Sequence, residues 1–177
     1  SFNRTYCSPD TFIFQETTSI RGSFHQSIIR GQVMRASQTS VEEGFQGGQI
    51  ILSEDLLWNG LTLRDSFNQM IVRSPQLRLS SDTLTNSFVR SHVDVSGFLE
   101  LKILNATRAL TGSRISSSEA LLSFERALTV GQYLKIEVRQ KLEIRGHLEE
   151  SFSFGQIHAR LILFYGEFIF SMGNLTA

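Results

Sequence analysis

Apolar and charged side chains alternate without a break along residues 133–149. Leu134, Ile136, Val138, Gln140, Leu142, Ile144, Gly146 and Leu148 form one set; Tyr133, Lys135, Glu137, Arg139, Lys141, Glu143, Arg145, His147 and Glu149 form the other. A period of two marks a strand with one face on a core and one in water, whereas a helix would scatter both sets around its circumference. At roughly 3.3 Å per residue the segment exceeds the usual strand length. A bend is therefore expected, at Gln140 and Gly146.

The same alternation runs through residues 19–34, where the register changes at Ile28-Ile29 and predicts one bent strand with a bulge. Residues 37–48, rich in Ser, Glu and Gly, read as a loop, and Gln49 to Leu52 as a short strand. Ser53-Glu54-Asp55 looks like the capped start of a helix that Gly60 interrupts. Phe67, Met70 and Ile71 share one helical face, with Pro75 as a stop. Leu77 and Leu79, then Val93, Val95, Leu99, Leu101 and Ile103, continue the strand signal.

Ser117-Ser118-Glu119 precedes Ala120, Leu121, Leu122, Phe124, Ala127 and Leu128 at helical spacing, with Gly131 as terminator, and predicts the clearest helix. Residues 157–170 are apolar on both faces, the pattern of a central strand, and join the long alternating segment through residues 150–155 as a hairpin. Gly-Gln-apolar recurs at Gly31, Gly48, Gly131 and Gly155 as turn chemistry, and no solenoid period of 20–50 residues is read from it. These elements predict a mainly β fold, an antiparallel sandwich or barrel with one or two short helices, as a single domain over residues 1–177.

Composition narrows the partners more than the fold. The 177 residues carry no net charge, so the chain lacks the overall basic field that drives nonspecific nucleic-acid binding. Fourteen arginines against three lysines fit planar multi-donor contacts at an interface, or equally the base composition of the coding sequence. No apolar run reaches the roughly 20 residues of a membrane-spanning helix, and no signal peptide is evident. Asn-x-Thr sequons at Asn3, Asn105 and Asn174 are compatible with secretion, while the lone Cys7 argues mildly against an oxidising compartment.

No phosphate-binding loop, nucleophile elbow or metal-ligand motif is present, so no cofactor, no metal and no catalytic residue are assigned, and the reading leans away from an enzyme. His25, His92, His147 and His158 are dispersed one per predicted strand. The charged set Lys135, Glu137, Arg139, Lys141, Glu143 and Arg145 is the expected interface, where alternating signs would fix register against a partner. Phe24, Leu134, Ile136, Val138, Leu142, Ile144 and Phe164 are the candidate lining of a cavity. Together these predict a non-enzymatic structural or assembly protein, a virus coat- or matrix-like subunit that self-associates through its sheets as a homo-oligomer. The alternative is a β-barrel carrier, or a container enzyme, for a small hydrophobic ligand.

Overall fold

The computed structural model describes residues 4–15, 19–128, 130–150, 152–166 and 170–176, with side chains described over these residues except 128, 147–154 and 170–175. The chain winds into a β-solenoid of about seven turns in which every strand pairing is parallel. Short rungs stack as one ladder: Tyr6–Cys7, Ile28–Gly31, Gln49–Leu52, Ile71–Ser74, His92–Val95 and Arg114–Ser117. Long rungs stack as a second: Thr11–Phe14, Val33–Glu42, Asp55–Arg64, Gln76–Thr85, Phe98–Thr107 and Glu119–Leu128. Leu134–Glu150 belongs to both, pairing with the short ladder through Lys135–Val138 and with the long one from Leu142 onward.

The register defines the repeat. Ile28 sits beside Gln49, Gln49 beside Ile71 and Ile71 beside His92, so successive turns advance by 21, 22 and 21 residues. One position later in each turn the side chain points inward, and there Ile29, Ile50, Val72, Val93, Ile115, Ile136 and Ile157 form a buried column, none more than 3% exposed. Each contributes on the order of 2 kcal/mol of apolar burial, and β-branched side chains suit the flat pleated surface.

From Val33–Glu42 onward each long rung points inward at alternate positions and then places two successive residues outward before the next inward one: Leu56, Trp58, Gly60, then Leu63, and likewise Ala120, Leu122, Phe124, then Ala127. This local irregularity explains the main corrections. The step of three after the step of two imitates helical spacing, so residues 117–128, read as a helix from sequence, form the end of one short rung and the long rung Glu119–Leu128. Residues 53–60 and 65–72, also read as helical, form a long rung and a corner leading into a short rung, and no helix occurs among the described residues. Residues 37–42, read as loop, extend a long rung.

The expected hairpin between the last long segments is likewise a parallel step to the next turn, with Ile136 beside Ile157 and Leu142 beside Ile162. The antiparallel sandwich or barrel is therefore replaced by a solenoid, and with it falls the coat-like subunit or barrel carrier built on that architecture. One-sided burial had suggested antiparallel pairing because most parallel sheets are covered on both faces. A solenoid covers only the inner face of each ladder.

The corners join the two ladders and bury the largest side chains. Phe24, Phe45, Phe67 and Phe88 occupy the same corner in four successive turns, their rings stacked at 4.7, 4.8 and 4.9 Å with interplanar angles of 1°, 9° and 4°. Trp58 meets Phe45 and Phe67 edge-on at 5.9 and 5.4 Å. The four phenylalanines and Leu110, next in the column, have φ between 53° and 61°, a left-handed conformation that costs about 1–2 kcal/mol per non-glycine residue. Ring burial and stacking offset that cost. The corner backbone still bonds across turns, Phe45 N–H to Ser23 C=O at 2.9 Å and Phe67 N–H to Gly44 C=O at 3.1 Å.

Buried serines complete the corner. The N–H of Met70 donates to Ser91 Oγ at 3.2 Å and that of Ser91 to Ser113 Oγ at 2.8 Å, while the Ser91 hydroxyl donates to the Phe67 carbonyl at 2.5 Å. Ser66 and Ser87 do the same one step earlier in the turn. A serine here satisfies backbone groups that would otherwise be buried unpaired.

Candidate binding grooves

Because backbone N–H and C=O groups in a parallel ladder bond along the solenoid axis, the outer faces offer a ligand only side chains, repeated every rung at about 4.8 Å. Two open grooves lie on these faces. The first crosses five rungs of the long ladder and encloses about 640 Å³. One wall is the register column Ile13, Arg35, Leu57, Arg78, Glu100; the other is Gln15, Ser37, Asn59, Ser80, Lys102. The second wall carries a polar side chain at every rung, short at Ser37, Asn59 and Ser80, and this opens a trough parallel to the axis.

Charge in this groove is partly spoken for. Glu100 accepts from Lys102 at 2.6 Å and faces Arg78 at 4.0 Å, and the Arg78 guanidinium lies 5.9 Å from the Phe98 ring centre. Among the described residues Arg35 has no ion-pair partner. Three cations against one carboxylate make the trough positive.

The second groove, about 730 Å³, runs over the short ladder and is lined by Asp94, Ser116, Glu137 and His158, with Arg139 and Arg160 along one edge. Glu137 takes the Arg114 guanidinium at 2.7 Å; Asp94 accepts from Ser116 Oγ at 3.0 Å and lies 3.9 Å from Arg73. Both carboxylates are thus paired.

The solenoid divides the six charged residues expected to form one interface. Lys135, Glu137 and Arg139 lie on the outer face of the short ladder, and Lys141, Glu143 and Arg145 on that of the long ladder. The second trio pairs within its own strand: Glu143 bonds Lys141 at 2.7 Å and also Arg145, whose guanidinium lies over the Tyr165 ring at 5.4 Å. The Lys141 hydrogen bond foremost, with the Arg145 bond, holds the Glu143 carboxyl below its usual range, although burial opposes this. The bond to Glu143 likewise raises the Lys141 ammonium above its usual value.

Of the expected cavity residues, Phe24, Leu134, Ile136, Val138, Leu142 and Ile144 pack in the solenoid core, while Phe164 stands beside Ile144 in the next turn and is 37% exposed. The histidines do not converge: His25 sits at a corner with Nε2 on the Glu43 carbonyl at 2.5 Å, His92 and His158 stand on separate short rungs, and the His147 side chain lies outside the described residues. Cys7 stands in the Ile29 column as a small apolar residue. Asn105 is exposed on the long ladder; Asn3 and the Asn174 side chain are outside the description. No group of three His, Cys, Asp or Glu gathers at one point among the described residues, and no helix there is long and apolar enough to cross a membrane.

Sequence reasoning missed the first groove entirely, because Arg35, Leu57 and Arg78 become neighbours only through the 21–22-residue register. That spacing was the available signal. No family model, curated protein or solved structure matches this chain.

Proposed function

We propose that this chain is a binding module that holds a linear acidic polysaccharide in the groove of its long ladder. The observation that carries the reading is the continuous row Gln15, Ser37, Asn59, Ser80, Lys102, one polar side chain per rung, facing guanidiniums at Arg35 and Arg78. An extended polymer whose units advance by about one rung would meet equivalent contacts at each step. Hydroxyl and amide side chains suit sugar hydroxyls, Arg35 and Arg78 suit carboxylates, and Ile13 and Leu57 supply apolar contact for ring faces. The exposed sequon at Asn105 fits a chain that meets such a polymer outside the cell.

Calorimetry with polygalacturonate and with an uncharged linear β-glucan tests this. The expected result is binding of the acidic polymer alone, weakened about tenfold or more by Arg35→Ala with Arg78→Ala, since a charge-assisted hydrogen bond contributes about 1.5–3 kcal/mol and tenfold is about 1.4. Equal binding of both polymers, binding of neither, or an unchanged affinity in the double variant refutes the reading.

A further inference from the structure

The groove of the short ladder lies on a different face from the proposed polysaccharide site, and its charges do not cancel in place. Its two carboxylates are taken, Glu137 by Arg114 at 2.7 Å and Asp94 by Arg73 at 3.9 Å with the Ser116 hydroxyl. Arg139 and Arg160 remain. Val138 sits beside Ala159 and Lys141 beside Leu161 with a register break between them, so Arg139 lies in a bulge opposite Arg160 of the adjacent rung, and both arginines line the groove. Among the described residues neither has an ion-pair partner, and both are exposed at the groove.

His158, two residues before Arg160 on the same outward face, adds ring nitrogens beside them. Two adjacent guanidiniums repel one another unless an anion lies between them, and their planar forks match the oxygens of a sulfate or phosphate group. The groove volume falls within the range of small-ligand sites.

We infer that Arg139, Arg160 and His158 form a binding site for a tetrahedral oxyanion, a sulfate or phosphate group, on the outer face of the short ladder. The site does not rest on the polysaccharide reading, and substitutions here leave the long-ladder groove untouched. The oxyanion is either free or an ester on a larger molecule, since the groove is open along the axis.

The test is nuclear magnetic resonance of the histidine rings of the full chain during titration with inorganic phosphate and inorganic sulfate, with His158 assigned through His158→Gln. A saturable shift at His158 is expected, with the dissociation constant raised about tenfold or more by Arg139→Gln or Arg160→Gln. Arg30→Gln removes an exposed arginine from the column of His158, several turns away, and is expected to change nothing. A sulfated oligosaccharide binding more tightly than sulfate identifies an ester-borne group, and equal binding identifies the free ion; the site stands in both cases. Absence of a saturable shift at His158, or equal weakening by Arg30→Gln, overturns it. All of these arginines are exposed, and an unchanged thermal midpoint separates lost binding from lost folding.

Discussion

Glu143 shows how a single outward residue can become part of the scaffold. It belongs to the alternating charged set and would ordinarily lie in water, yet its side chain is only 9% exposed because Lys141 and Arg145, two residues to either side, fold over it. With its folded pKa depressed, the carboxyl contributes stability that is complete above its unfolded value near 4.5 and is lost as pH falls through the folded value. The raised Lys141 makes the opposite contribution, present below its ordinary 10.5 and lost as pH rises through its folded value. Glu143→Gln is therefore expected to lower the urea midpoint at pH 7, and the difference from the parent chain to be smaller at pH 3, below the unfolded value. An equal difference at both values would mean that shape, not charge, matters at this position. The alternation of 133–149 was legible in the sequence because it depends only on neighbours in the chain. The pairing partner of each charge was not.

At the scale of the element, the corner carries the specificity of the fold. Left-handed backbone at a phenylalanine is unfavourable alone, and it persists because four rings stack through successive turns and serine hydroxyls close the remaining backbone bonds. Phe67→Ala removes the ring that touches Phe45, Phe88 and Trp58 and is expected to cost about 3–5 kcal/mol. Phe67→Leu is expected to cost less than half of that, because Leu110 fills the same column position in the native chain. Chemical denaturation of both variants checks the ratio; similar losses would show that stacking geometry matters more than burial. This column was visible in the sequence as Ser23-Phe24, Ser66-Phe67 and Ser87-Phe88, with Gly44-Phe45 between them. The Gly-Gln pairs concealed it, since Gly31, beside Leu52, and Gly48, one position before the Ile28–Gln49 pair, stand at different places in the turn, and Gly155 falls in a register break. Helical readings arose for an equally local reason: two outward residues in a row at Glu125 and Arg126 shift Ala127 to three positions beyond Phe124.

At the scale of the molecule, each turn bonds only to the turns before and after it, so stability is approximately a sum of turn and interface terms. Such a chain tolerates a whole added turn but not a fraction of one, because every inward column must continue in register. Ser66 and Ser87 stand 21 residues apart at the same corner position. A second copy of residues 66–86 inserted after residue 86 restores the Phe, Ser and Ile/Val columns and places a second Arg78 and Ser80 in the long-ladder groove. The insertion is expected to fold with a thermal midpoint no lower than that of the parent. Inserting only residues 66–76 turns inward positions outward and is expected to abolish cooperative unfolding. Circular dichroism melts distinguish the two, and equal disruption would show that the turns are not interchangeable. Because the whole-turn insertion also lengthens the polar row by one rung, an acidic polysaccharide longer than the native groove is expected to bind it more tightly, while a fragment short enough to fit the native groove binds both alike.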